Sequence, residues 1–126
     1  MRYAVSAMLL IAAVIHLLPI SGVFGADQLA RLYGISFAEP NVVILMRHRA
    51  VLFGLLGAFL AVAAFVPSLQ PVAFIAGFVS VGSFLLIAWM VGGYNAQIGR
   101  VFTADLVAIA CLVIGLAAFA YAHRAD

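Results

Sequence analysis

Residues 42–66 read VVILMRHRAVLFGLLGAFLAVAAFV, an apolar run that only the triplet Arg47-His48-Arg49 interrupts. About 20 apolar residues are enough to cross the ~30 Å hydrocarbon core of a bilayer as an α-helix. Because a lone segment in lipid must satisfy its own backbone hydrogen bonds, the run predicts a transmembrane helix. Three basic-type side chains therefore lie near one end of a helix that is otherwise apolar, where they need a physical explanation.

Three further apolar runs of similar length occur, at 3–24, 71–91 and 101–122. The chain has 126 residues, 68% of them hydrophobic and 8% charged, which is more apolar than a soluble domain of this size can bury. The sequence therefore predicts an all-α integral membrane protein, a single domain folded as an up-down-up-down four-helix bundle. The first run could instead be a cleaved signal peptide, but its apolar length favours a retained helix.

Small residues recur along one face of two predicted helices. They are Ala50, Gly54, Gly57, Ala61 and Ala64 in the second run, and Ala104, Ala108, Cys111, Gly115 and Ala118 in the fourth. Because small residues let helix backbones approach each other in a membrane, both stripes predict helix–helix contacts. On this reading Cys111 is a packing residue.

The first stripe, extended back by three residues, reaches Arg47, and Asp105 stands one position from the second stripe. A charge inside a membrane usually faces the bundle interior and is paired. We therefore expect Arg47 to point inward and to form an ion pair with Asp105. Arg49 lies two helical steps further round, so we expect it to turn to the interface, where it would reach head groups or Glu39.

Alternating helix directions place the two longer loops, at 26–41 and 92–100, at the same end of the bundle. Most polar residues collect at that end: Asp27, Arg31, Glu39, Arg47, His48, Arg49, Tyr94, Asn95, Arg100 and Asp105. His16 approaches it from within the first helix, on a face shared with Leu9, Ala12 and Ala13 that predicts burial. The candidate ligand-binding or structural cluster comprises Arg47, His48, Arg49, Asp105, His16 and Asn95.

A basic pocket at the mouth of a bundle favours a non-catalytic binding or accessory role. Guanidinium groups bind carboxylate or phosphate with paired hydrogen bonds, so the expected ligand is an anionic lipid, a quinone-type head group or a protein partner. One alternative is a membrane oxidoreductase or lipid-modifying enzyme that uses His16 or His48, with haem or a quinone as its cofactor. Another is a subunit of an oligomeric transporter or pore, assembled through small-residue faces.

Several other classes of function lack their sequence signals. No phosphate-binding glycine loop, CxxC, HExxH or GxSxG motif occurs, and the four acidic residues are too few for a metal cage. A net charge of +2 without a clustered basic face argues against a nucleic-acid partner. Expected partners are therefore membrane lipids, further copies of the chain, or a larger membrane complex.

Five short elements resemble a group of small four-helix bacterial membrane proteins of unsettled function, many of which go under the name phosphopantetheine adenylyltransferase. The elements are IHLLP (15–19), RLYG (31–34), PN (40–41), RHRAVLFG (47–54) and AD (104–105). The resemblance implies a multi-pass protein of the bacterial inner membrane, and the helix count and size are also similar to DoxX-like proteins. The soluble adenylyltransferases use a [TH]xGH nucleotide signature that this chain lacks, so no catalytic residue is carried over.

Overall fold

The structure, a computed structural model, describes residues 2–36 and 38–124, and about 89% of these residues are helical, with no strand among them. The helices are α1 (Arg2–Leu17), α2 (Ala26–Tyr33), α3 (Pro40–Ala63), α4 (Gln70–Val91) and α5 (Ala96–Arg124), with 3-10 turns at Leu18–Phe24 and Pro67–Leu69. Within the described part of the chain, four helical segments are long and apolar enough to cross a membrane: Arg2–Phe24, Pro40–Ala63, Pro67–Val91 and Ala96–Arg124. The prediction of an all-helical chain with four such segments is confirmed.

Capping residues and prolines set helix ends that differ from the predicted ones. α3 begins at Pro40 rather than at 42, because the Glu39 carboxylate accepts hydrogen bonds from the backbone N–H groups of Asn41 and Val42. Pro40 itself needs no hydrogen-bond acceptor at the first helical position. The first apolar run changes from α-helix to 3-10 helix at Leu18, where Pro19 cannot donate a backbone hydrogen bond.

The connection between α1 and α3, which the sequence predicts to be a loop at 26–41, contains the helix α2. α2 is amphipathic, with Leu29 and Tyr33 buried and Arg31 exposed. Its apolar side packs against residues near the beginnings of α3 and α5, among them Met46 and Val101. The helix therefore lies against the end of the bundle at which α3 and α5 begin.

Small residues bring α1 and α3 together, as the stripe on α3 predicts. A Cβ atom added to Gly54 would lie 2.8 Å from Cδ1 of Ile20, and one added to Gly57 would lie 2.8 Å from Cγ of Leu17. Ala50 and Ala64 are also buried. The first of the two predicted helix–helix contacts is confirmed.

The second stripe lies on α5, which packs against both α1 and α4. Its members Ala108, Cys111, Gly115 and Ala118 are buried. Larger side chains complete the core between the helices, and Leu112 of α5 is fully buried. Cys111 is thus a packing residue, as the sequence indicates.

Candidate functional site

A cavity of about 270 Å³ lies between α2, the end of α1 with the turn that follows it, the middle of α3 and the first turns of α5. Much of its wall is apolar and includes Ile15, Leu18, Leu32, Phe53, Val101 and Ala104. Its polar lining consists of His16, Arg31, Tyr33, Arg49, Gln97, Arg100 and Asp105. Three arginines and one carboxylate therefore face a space whose remaining surface is mainly hydrocarbon.

Arg49 is the most firmly held of the three arginines. Its Nη1 donates a 2.6 Å hydrogen bond to the Tyr33 hydroxyl. Its guanidinium carbon lies 4.5 Å from the ring centre of Phe53 and 5.5 Å from that of Tyr33, within the range of cation–π attraction. The two aromatic rings hold the guanidinium in a fixed position at the cavity wall.

Asp105 faces the same cavity from α5 and is half-buried. Arg49 lines the cavity with it, whereas Arg47 lies outside the cavity. Among the residues that the structure describes, none forms a hydrogen bond or an ion pair with the Asp105 carboxylate. The carboxylate therefore contributes acceptor capacity to the cavity that no described residue uses.

Arg31 and Arg100 complete the basic lining, although neither belongs to the cluster predicted from the sequence. Both are exposed and reach the cavity from α2 and from the second turn of α5. The sequence already predicts that both residues lie at the end of the bundle that carries the two longer loops. What the sequence did not show is that α2 folds back on the bundle and brings Arg31 to the cavity.

His16 is 2% exposed and lies on the buried face that the sequence predicts. Its Nδ1 is 2.8 Å from the Ala12 carbonyl oxygen, which can only accept, so Nδ1 carries the proton and donates. Its Nε2, 3.1 Å from Ser80 Oγ, then accepts from that hydroxyl. Both ring nitrogens are engaged, and the imidazole links α1 to α4 at the cavity wall.

Asn95 belongs to the scaffold of the site. Its Oδ1 accepts from the backbone N–H of Ile98 at 2.8 Å and so caps α5, while its Nδ2 donates to the Tyr33 carbonyl at 2.7 Å. One side chain thus fixes the start of α5 and ties the end of α2 to it.

Replacement of Asn95 by Ala is expected to lower the free energy of unfolding by about 1–3 kcal/mol, because a helix cap and a second hydrogen bond are both lost. Thermal unfolding in detergent and amide exchange across α2 would measure the change. The matched control is Asn41→Ala, since among the described residues the exposed Asn41 side chain bonds only Glu39, two positions before it. Equal loss in both variants would contradict the assigned role.

The prediction that Arg47 points into the bundle is wrong. Arg47 is exposed, and its Nε donates a 2.8 Å hydrogen bond to the Val23 carbonyl. With the exposed His48 it lines a shallow surface depression beside Ile44 and Val51, away from the cavity. The predicted Arg47–Asp105 pair is therefore replaced by Arg49 facing Asp105, and the expected outward turn of Arg49 is wrong as well.

Arg47 and Arg49 have exchanged their predicted positions because the small-residue stripe on α3 contacts α1 and does not face the bundle interior. Gly54 and Gly57 touch the end of α1 and the turn that follows it, at one edge of the bundle-facing side of α3. The bundle interior lies on the other side of the stripe, where Phe53 faces the cavity and Leu60 is fully buried. At about 100° per residue, Arg49 falls on that side and Arg47 on the opposite one.

The structure thus divides the six predicted site residues into three groups. Arg49, Asp105 and His16 meet at the cavity, Arg47 and His48 share the outer depression, and Asn95 holds α2 to α5. His16 and His48 face different spaces, so they are not placed to hold one haem together. No group of three or more metal-ligating side chains occurs within residues 2–36 and 38–124.

The fold and the site define a class: an all-helical chain with four helices of membrane-spanning length and a basic, largely apolar cavity at one end. No protein-family model, curated protein or solved structure matches this chain.

Proposed function

We propose that this protein is a non-catalytic membrane protein that binds the head group of an anionic membrane amphiphile in the cavity. The observation that carries the proposal is the convergence of Arg31, Arg49 and Arg100 on a space with a mainly hydrocarbon wall. Guanidinium groups are well suited to phosphate and carboxylate oxygens. A ligand that pairs an anionic group with an acyl or prenyl chain fits both parts of this lining.

The proposal includes a membrane setting in which α1, α3, α4 and α5 cross the bilayer in alternate directions. Two contacts support this arrangement at the end opposite the cavity. Ser6 near the start of α1 donates to the carbonyl of Ala64, just past the end of α3, and Gln70 at the start of α4 donates to Ala63. The bacterial inner membrane is the setting that the sequence resemblance favours.

The position of Arg49 supports a binding role over a purely structural one. A guanidinium held by one hydrogen bond and two aromatic faces still has several N–H donors to present to a ligand. The enzyme alternative has less support, because both ring nitrogens of His16 already have partners. Oligomerisation into a transporter or pore stays a prediction that no contact within the single chain addresses.

Filling the cavity tests the proposal directly. Ala104 lines it from α5, so Ala104→Trp is expected to displace a bound phospholipid, whereas Ala110→Trp on an exposed part of the same helix should retain it. Native mass spectrometry of each protein in detergent, with added phospholipid, would count the retained lipid. Equal retention by two folded variants would refute the assignment of the ligand to this cavity.

A further inference from the structure

The two half-buried charges of the cavity have opposite signs. Arg49 and Asp105 are both partly shielded from solvent, whereas Arg31 and Arg100 are exposed. Exposed charges are screened by water and ions, but shielded ones interact strongly with whatever lies beside them. The shielded pair therefore decides which head group fits, and the exposed arginines add a general attraction for anions.

Arg49 and Asp105 do not form a hydrogen bond or an ion pair with each other, so the remaining donors of Arg49 and the acceptors of Asp105 are available to a ligand. Arg49 directs Nη1 to the Tyr33 hydroxyl, and no described residue donates a hydrogen bond to Asp105. A ligand with acceptor oxygens alone would place negative charge beside this carboxylate, which is unfavourable at low dielectric. A complementary ligand must also bring a donor, and a cationic donor balances the carboxylate charge.

The positions of the charged residues along α3 and α5 indicate where the charges of a ligand would lie. α5 runs into the bundle from Ala96, so Asp105 lies five residues, about 7.5 Å at 1.5 Å per residue, deeper than Arg100. Arg49 lies nine residues after the start of α3, as Asp105 does after the start of α5, so a phosphate bound at Arg49 would carry its donor on a short arm directed across the cavity to Asp105. Two methylene groups between a phosphate and an ammonium make an arm of suitable length.

We propose that the cavity recognises a phosphate that carries a primary ammonium on a short arm, as in the phosphoethanolamine head group, with Arg49 binding the phosphate and Asp105 the ammonium. This inference rests on the proposed binding of an anionic group at the arginines, and it adds that the same head group carries a cation, which makes the lipid zwitterionic. A quaternary ammonium has no N–H to donate to Asp105, and a glycerol head group offers only neutral hydroxyls. Both are expected to bind more weakly.

Competition between phospholipids tests the inference. Purified protein in detergent would be offered equimolar phosphatidylethanolamine and phosphatidylcholine, then phosphatidylethanolamine and phosphatidylglycerol, and the bound species counted by native mass spectrometry. We expect the wild-type protein to prefer phosphatidylethanolamine about tenfold over phosphatidylcholine, the ratio for about 1.4 kcal/mol. Asp105→Asn should bring this ratio close to one, whereas Asp27→Asn, at an exposed position in the first turn of α2, should leave it unchanged.

The possible outcomes separate this inference from the proposed function. Equal binding of phosphatidylcholine by the wild-type protein, or a preference that survives Asp105→Asn, would overturn the inference. A preference for phosphatidylglycerol would overturn it too, while supporting the simpler binding of an anionic lipid. If the wild-type protein bound none of the three lipids, the proposed function would fail with it.

Discussion

Replacement of Arg49 by Gln is expected to weaken phospholipid binding about 10- to 100-fold, whereas Arg47→Gln should leave it nearly unchanged. Each variant removes one positive charge from the same turn of α3, but only Arg49 faces the cavity. A hydrogen bond to a charged group contributes about 1.5–3 kcal/mol, which corresponds to the expected loss. Titration of each variant with phosphatidylethanolamine in detergent would measure it.

Two controls make this comparison informative. Thermal unfolding of both variants would show whether Arg49→Gln merely releases α2, since Arg49 also bonds Tyr33. Arg49→Lys keeps the charge without the planar fork and should fall between wild type and Gln, because an ammonium cannot make the paired hydrogen bonds of guanidinium. Equal weakening by Arg47→Gln would mean that net charge, rather than the cavity, governs binding.

Replacement of Gly57 by Ala is expected to destabilise the protein by forcing α1 and α3 apart. The new Cβ atom would lie 2.8 Å from Leu17 Cγ and 3.1 Å from the Ala13 carbonyl oxygen. The Leu17 side chain can rotate away, but the carbonyl belongs to the backbone of α1, so relief requires the two helices to separate. Overpacking of this kind costs about 1–3 kcal/mol, and unfolding in detergent would show the loss.

The control for this substitution is Gly82→Ala on α4. A Cβ atom there would meet nothing within 4 Å, and alanine favours a helix over glycine by about 1 kcal/mol. We therefore expect Gly82→Ala to be neutral or stabilising. Destabilisation by Gly82→Ala as large as that by Gly57→Ala would show that close packing of α1 against α3 is not the cause.

The sequence predicted the helices well because the length of an apolar run and the spacing of small residues are local properties of the chain. The runs at 42–66 and 101–122 needed only composition to be identified as helices, and their stripes of small residues are the observed contact surfaces. The burial of His16 followed from the same periodicity. Each of these predictions depends on a single helix and its face.

The candidate site was harder to predict because it depends on how several helices lie around each other. Periodicity locates the face of α3 that touches one neighbour, but not on which side of that contact the bundle interior lies. Which of Arg47 and Arg49 faces the interior depends on that side, and the prediction of Arg47 was wrong. The contribution of Arg31 depends on the folding back of α2, which no local signal in 26–33 specifies.

Tyr33 takes part in two of the contacts that define the site. Its hydroxyl accepts from Arg49, and its backbone carbonyl accepts from Asn95. The docking of α2 and the orientation of the Arg49 guanidinium are therefore parts of one equilibrium. Thermodynamic linkage makes this coupling reciprocal. If the docking of α2 changes the affinity of the cavity for a ligand that binds Arg49, then the ligand changes the affinity of α2 for the bundle by the same factor. Occupancy of the cavity would thus be transmitted to the surface of the protein as a change in how firmly one short helix is held.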